Sequence, residues 1–474
     1  MIDLLQEAKQ KNIESFVLTD INNTSACLDF IREAPKYNVK PIVGIDFREG
    51  VKQHYVGIAR NNEGFMELNR YLSRILNNEI KLENRAPEFN NSYIIYPFGT
   101  IHPSLLHDNE FVGIKQNELN KLRFSEAKHH QHKLVILSPV TFRNKKDFNA
   151  HRLLRAIDNN TLLSKLPLSE QASENETMLQ EQELQNIYNE FPQLIANTKK
   201  IIDDCQINFE FKKSKNKKTF TGNILNDYEL LRAECYKGLK ERYDNPDESI
   251  YKRLEKELQM IIEMDFCSYF LINWDIVKYA RERNFFYVGR GSGANSLAAY
   301  CLKITDVDPI ELDLYFERFI NPHRVNPPDF DIDFSWQDRD EIIDYIFKAH
   351  GHKHTSLLAT YNTFQSRSLI RELGKVFGLP KNEIDDLVDN PPDRRAGRKF
   401  GQTPDSIAQL IYKYSNYIHD FPSHLSIHAG GILISEKPIH YYTATSMPPK
   451  GYPLTQFSMI EAEDIGLYKF DILS

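Results

Sequence analysis

The stretch Pro327-Pro328-Asp329-Phe330-Asp331-Ile332-Asp333-Phe334 alternates acidic and apolar side chains after a pair of prolines. The prolines exclude helix and permit a strand that begins just after them. Strand side chains alternate between faces, so Asp329, Asp331 and Asp333 share one face, while Phe330, Ile332 and Phe334 share the other and can be buried. Like charges two residues apart repel, and Asp is a poor strand former. Such a face is tolerable on a solvent-facing edge strand or around a cation. Carboxylates are hard oxygen ligands that suit magnesium. Two magnesium ions about 4 Å apart can bind both the attacking and the leaving oxygen of a phosphoryl displacement.

Upstream, Gly289-Arg290-Gly291-Ser292-Gly293-Ala294-Asn295-Ser296 precedes a predicted helix over Leu297–Leu302. A glycine turn opening a helix leaves N–H groups that favour an anion, and Arg290, Ser292 and Ser296 add donors. The spacing is neither a Walker loop nor G-x-G-x-x-G. A triphosphate could lie between this turn and the acidic strand. Between them, Arg318 either pairs with Glu317 or Asp313 or points at a phosphate. Arg367, Arg371 and Lys375 recur every fourth residue and form one basic helix stripe, which is either solvated or laid against a phosphate backbone. Arg394, Arg395, Arg398 and Lys399 form a second basic cluster after Pro391-Pro392. Ile465 to Leu473 reads as a strand with Lys469 and Asp471 on one face. Alone that is a surface pair; beside the acidic strand, Asp471 would complete a carboxylate set and Lys469 would neutralise a phosphate.

A chain of 474 residues is too long for one core and predicts two or three domains. Its net charge of −7 denies it a whole-chain basic footprint for nucleic acid, but local phosphate contacts and a metal site remain open. No apolar run approaches a membrane span, and MIDLLQEAKQKNIESF reads as a charged amphipathic helix rather than a secretory signal. The five cysteines lie far apart with no C-x-x-C pair, which argues against a zinc ribbon or disulfide framework and fits a reducing cytoplasm. Helices over 2–10, Ser25–Tyr37 and 62–78 alternate with strands over Ser15–Leu18, Pro41–Phe47 and Leu134–Leu137. This predicts an α/β domain with a largely parallel sheet, ending near residue 205. The run Lys212–Lys218 (KKSKNKK) reads as a solvated loop, with a phosphate contact as the alternative. A long helix is expected from Asp227 to about Lys256, and a second from near Ser268.

Six ordered blocks, SYFLINWDIVKYARER, VGRGSGANSLAAYCLKITDVDP, YFERFINP, PPDFDIDF, IHAGGILIS and GLYKFDIL, resemble the C-family bacterial DNA polymerase III alpha subunit over roughly Glu255 to Leu473. The resemblance implies a multidomain α/β and α+β protein. A PHP-like α/β barrel domain (1–205) would be followed by a polymerase-beta-like nucleotidyltransferase palm (206–345 and 426–474) with an inserted helical thumb (346–425). It implies catalytic, magnesium-binding aspartates at Asp329, Asp331 and Asp471, with Asp333 in support, and triphosphate contacts at Gly291, Ser292, Arg318 and Lys469, to which the turn adds Arg290. The implied activity is that of a DNA-directed DNA polymerase in bacterial replication, using two Mg2+ ions, dNTPs and primer–template DNA. Arg367, Arg371 and Lys375 would touch the DNA, and the sliding clamp and other replisome subunits would be partners of the full-length protein.

The segments FVLTD, KPIVGIDF and GIARNNEGF resemble the family's amino-terminal PHP domain. Active PHP domains bind metals through an early His-x-His pair and a T-D-H segment. Here no His precedes His54 and the second position reads Thr19-Asp20-Ile21, so this domain is expected to be structural. The family continues past K-F-D with fingers, a clamp-binding region and an OB domain, and its start precedes this one. A fragment or truncated gene product is therefore expected, with a catalytically incomplete DNA-binding fragment as the alternative function. Asn295 stands where the family has a small residue.

Overall fold

In the computed structural model, residues 1–318, 320, 326–390 and 405–474 are described, apart from the side chains of Arg318 and Asp405. Strands β1 (Ser15–Ile21), β2 (Lys40–Glu49), β3 (Lys52–Ala59), β4 (Ser92–Pro97), β5 (Glu110–Ile114) and β6 (Leu134–Ile136) form one sheet in chain order. The β1–β2, β4–β5 and β5–β6 pairs are parallel, whereas β2–β3 and β3–β4 are antiparallel. The sheet is thus mixed rather than largely parallel. β2 and β3 form a hairpin over Gly50-Val51, a connection too short for a parallel crossover. No ladder joins β1 to β6 among the described residues, so the ladders form an open sheet rather than the closed barrel implied by the resemblance.

The second sheet comprises β7 (Tyr287–Arg290), β8 (Asp331–Phe334), β9 (Thr355–Thr363), β10 (Pro422–Ile434), β11 (Thr445–Ser446), β12 (Leu454–Thr455) and β13 (Phe470–Leu473). Its order is β11-β12-β9-β10-β13-β8-β7. One face packs on the helix Cys267–Glu282, where Phe330, Ile332, Phe334, Phe470 and Ile472 join a single core. Tyr269 of that helix stacks on Phe330 at 5.8 Å between ring centroids and lies 4.9 Å from Phe470. The first half of the helix, Cys267 to Trp274, is buried all round, and its charged residues follow from Asp275 onward. The expected single helix from Asp227 to about Lys256 is two, Ile224–Arg242 and Glu248–Glu263. Pro246 cannot continue the first, and Asp247 caps the second by accepting from Ile250 N–H at 3.0 Å.

On the opposite face, Leu358 of β9 and Leu433 of β10 enter the core that holds Val43, Ile45 and Tyr55 of the first sheet, together with Ile439, Phe457 and Leu467. The expected boundary near residue 205 therefore separates two sheets but not two cores. Between β9 and β10 run the helices Ser366–Val376, Lys381–Asp389 and Asp405–Tyr417, which share a third core with Ala150, Leu153 and Ala156 of the helix Lys145–Asp158. Within the expected thumb span 346–425, residues Thr355–Thr363 and those from Pro422 onward are strands of the second sheet.

The lysine run is not a free loop. Lys212, Lys215 and Lys217 donate backbone N–H bonds to Asp464, Gly466 and Ile434 at 2.8, 2.7 and 3.0 Å. Buried Asn216 bonds both main-chain groups of Tyr468, its amide to the carbonyl at 2.9 Å and its Oδ1 to the N–H at 2.8 Å. The run is a strap that fixes the approach to β13. Asn216→Ala would leave both Tyr468 groups unpaired, and a loss of about 2–4 kcal/mol in unfolding free energy is expected in urea titration. A loss under about 0.5 kcal/mol would show that the strap does not anchor β13.

Candidate active site

β13 runs parallel to β8, with Asp471 opposite Asp331 and Ile472 opposite Ile332. Neighbouring strands stand about 4.8 Å apart, so two aspartates distant in sequence lie side by side on one face. β7 lies antiparallel on the other side of β8, with Arg290 opposite Asp331. Arg290 Nη1 is 3.3 Å from Asp331 Oδ2, and its Nε is ion-paired with Asp333. Lys469 is ion-paired with Asp471. Burial, reinforced by Asp471, pushes the Asp331 carboxyl above the usual range, while Arg290 and Lys469 oppose the shift. Asp471 is 4 % exposed, and its buried Oδ1 has no hydrogen-bond partner among the described residues. Among the described residues, no three His, Cys, Asp or Glu side chains already stand close enough together to hold a metal ion.

Asp329 lies outside the ladder, since β8 begins at Asp331 rather than at Asp329 as expected. Its backbone is bonded sideways to the glycine turn instead. Asp329 N–H donates to Ser292 Oγ at 3.0 Å, and its carbonyl accepts from Gly293 N–H at 2.9 Å. Gly291 has φ +97°, and a Cβ there would lie 2.6 Å from the Asp329 carbonyl oxygen. A Cβ on Gly293 would lie 2.2 Å from the Phe330 ring. Only glycines let the turn clamp this closely onto the acidic segment. Asp329 itself is exposed and helps raise the Glu463 carboxyl above its usual range, after burial and against Lys469.

The turn does not offer the open helix N-terminus expected of it. Gly293, Ala294 and Ser296 N–H groups are spent on Asp329, Gly291 and Gly293 carbonyls. Glu257, 1 % exposed, enters from below and accepts from Ala298 N–H at 3.1 Å and from Ser296 Oγ at 2.9 Å. Arg253 pairs with its other oxygen at 3.1 Å. Ser296 is therefore a buried structural donor rather than a phosphate contact. Ser292 differs: its oxygen accepts from Asp329 N–H, and its hydroxyl proton has no acceptor among the described residues. Asn295 donates to the Ser292 carbonyl at 3.0 Å, so the departure from the family's small residue braces the turn.

Of the remaining expected residues, the Arg318 side chain and the cluster Arg394, Arg395, Arg398 and Lys399 lie outside the described residues. Arg367, Arg371 and Lys375 do share one helix, but each is paired with an acid: Asp389 at 2.9 Å, Asp385 at 3.7 Å and Glu372 at 2.7 Å. They form a neutralised surface rather than a bare basic stripe.

The structure adds residues that spacing did not single out. Arg339 donates to the Ile472 carbonyl at 2.9 Å and also to the Ala429 carbonyl, tying β13 to β10. A bulge in β10 between Ile427 and Ile432 presents His428, whose Nδ1 accepts from Gly431 N–H at 2.9 Å. Burial pushes the His428 ring below its usual range; Asp471 opposes this and Lys469 adds to it. The one signal for these positions was the IHAGG block, with paired glycines beside a histidine.

The fold is thus that of a polymerase-like nucleotidyltransferase, with an acid-lined sheet face clamped by a glycine turn. The chain belongs to the family of the bacterial DNA polymerase III alpha NTPase domain, whose model matches residues 229–474. The model of the PHP domain matches residues 1–103. Among similar curated proteins, DNA polymerase III subunit alpha of Bacillus subtilis (strain 168) is 30% identical over 99% of this chain and 46% of its own length. The error-prone DNA polymerase of Symbiobacterium thermophilum is 29% identical over 100% of this chain and 49% of its own length. DNA polymerase III subunit alpha of Escherichia coli (strain K12) is 28% identical over 99% and 46%. The chain spans about half the length of these relatives.

Burial raises the Glu257 carboxyl from 4.5 to about 7. Between those values the folded protein holds a proton that the unfolded chain has released, so stability falls as pH rises through that window. Glu257→Gln is expected to flatten the pH dependence of the urea midpoint between pH 5 and 7; an unchanged slope would place its source elsewhere. Gly291→Ala meets both a positive φ and the Asp329 carbonyl, and a loss of about 1–3 kcal/mol is expected by the same titration.

Proposed function

We propose that this chain carries the palm of a DNA-directed DNA polymerase, which adds dNTPs to a primer 3′ end by two-metal nucleotidyl transfer in bacterial DNA replication. The observation that carries this reading is the strand register that seats Asp471 beside Asp331. DNA polymerases of this family use divalent metal ions for catalysis, and we take them here to be two Mg2+ ions. The donors fit such ions: aspartate oxygens are hard ligands, and Asp471 Oδ1 is a buried acceptor with no partner among the described residues, which is costly to leave unpaired. Asp329, Asp331 and Asp471 would hold them. When bound, the ions supply positive charge at the attacking and leaving oxygens of the displacement.

The chain's own groups do the rest. Arg290 and Lys469, already beside the carboxylates, offset charge that builds on the triphosphate. Gly291 lets a phosphate approach the backbone, and Ser292 donates its free hydroxyl proton to it. Arg318 joins them as a triphosphate contact. Asp333 holds Arg290 in place. The helical layer between β9 and β10 acts as the thumb, where Arg367, Arg371 and Lys375 exchange their carboxylate partners for primer–template phosphates. Residues 1–205 form a PHP-like structural domain; 206–345 with 426–474 form the palm, extended by the strands Thr355–Thr363 and Pro422–Ile434 of the same sheet. No helix among the described residues is long and apolar enough to cross a membrane, and we place the protein in the cytoplasm. The sliding clamp and other replisome subunits would be partners of the full-length protein.

Primer extension with magnesium tests the reading. Asp331→Ala or Asp471→Ala should reduce single-nucleotide incorporation to background, whereas synthesis at the unaltered rate would refute it. Primer–template binding without chemistry is the alternative reading. It would be supported by salt-dependent DNA binding of the unaltered chain with no incorporation.

A further inference from the structure

His428 occupies the bulge of β10, the strand next to β13. Gly431, in the same bulge, is the cross-strand partner of Asp471. Directly opposed residues of an antiparallel pair present their side chains to the same face. A Cβ on Gly431 would stand 3.0 Å from His428 Nδ1, so the imidazole occupies the space that this glycine leaves on the aspartate face.

The ring is fixed in orientation. Nδ1 accepts from Gly431 N–H at 2.9 Å and from Gly430 N–H at 3.3 Å. That nitrogen therefore carries no proton, and the neutral ring is protonated on Nε2. Among the described residues no acceptor is paired with Nε2, and the nitrogen is not sealed from solvent. Arg339, bonded to the carbonyls of Ala429 and Ile472, locks the bulge to β13. The result is an oriented N–H donor on the sheet face of Asp471.

The strand order decides which part of a substrate meets this donor. The glycine turn and Arg290 lie on the β7 side of the acidic strands, and His428 lies on the β10 side. In an in-line displacement the nucleophile approaches opposite the leaving group. With the triphosphate at the turn, the primer end enters from the β10 side. We propose that His428 is a positioning residue whose Nε2–H donates a hydrogen bond to the phosphodiester of the primer's 3′-terminal nucleotide, aiming the 3′ hydroxyl at Asp471. This rests on the polymerase reading above.

Binding of the full chain to two primer–template duplexes at one fixed salt concentration, read by fluorescence anisotropy, tests it. One duplex has a natural last primer linkage, and the other has a methylphosphonate there, which removes the charge and weakens the acceptor. The unaltered chain should bind the natural duplex about tenfold more tightly, about 1.4 kcal/mol. His428→Phe should bind both duplexes within about twofold of each other. His428→Gln, whose amide can stand where Nε2 stood, should recover most of the discrimination. A merely structural histidine would weaken both duplexes alike and leave the ratio intact, so an unchanged ratio in His428→Phe overturns the proposal. If the unaltered chain binds neither duplex, the polymerase reading itself falls and takes this proposal with it.

Discussion

Parallel pairing of β13 with β8 forces two carboxylates into neighbouring positions on one sheet face. Two like charges at strand spacing, one half-buried and one buried, repel; burial first and then Asp471 raise the Asp331 carboxyl above its usual range. The fold holds them there because their backbones belong to a sheet whose reverse face is a dense apolar core. Ile332, Ile472 and Phe470 cannot leave that core without losing the packing of Tyr269 and the helix behind it. Arg290 and Lys469 supply the compensating charge from the same face. The carboxylates are thus pressed together by hydrophobic burial and kept tolerable by two cations, as a site needs if it is to take up further positive charge and phosphate.

The supports around this face are mostly backbone contacts. The glycine turn is bonded to the Asp329 main chain, the strap at Lys212–Lys218 is bonded to the segment leading into β13, and Arg339 bridges β10 and β13 through their carbonyls. This anchoring uses Ser292 Oγ and His428 Nδ1 as acceptors and leaves the Asp329 carboxylate, the Ser292 hydroxyl proton and His428 Nε2 to meet a ligand. Glu257 supports the turn from within by capping the helix that follows it. The cost of that arrangement is a buried carboxylate, offset by Arg253 and by the Ser296 and Ala298 donors.

The acidic alternation at Asp329–Phe334 was legible because strand periodicity separates acids from apolar residues within a few positions. The partnership with Asp471 was not legible from spacing, since nothing local says that a Lys-x-Asp strand at the chain's far end will pair with it; the ordered family blocks supplied that link. The glycine turn is legible in the sequence, but the partners of its donors are not. The N–H groups of Gly293, Ala294 and Ser296 are paired with carbonyls, and that of Ala298 with a glutamate from another helix, which no pattern around residues 289–296 could reveal. The lysine run misled in the same way: its charges suggested a solvated loop, while its structural content lies in the backbone and in Asn216. The mixed first sheet was missed because β3, β4 and β5 carry no strong alternation, and a two-residue hairpin at Gly50-Val51 outweighed the helix–strand rhythm around it.

On the proposed reading, Asp331 and Asp471 form one divalent-cation site. Anomalous diffraction from crystals of the chain grown with primer–template, a non-hydrolysable dNTP and manganese addresses it most directly. The account predicts a manganese peak within about 2.5 Å of carboxylate oxygens from both residues, with Lys469 drawn off Asp471 toward the triphosphate. A well-ordered complex with no peak between them, and with Asp471 still paired to Lys469, would contradict it.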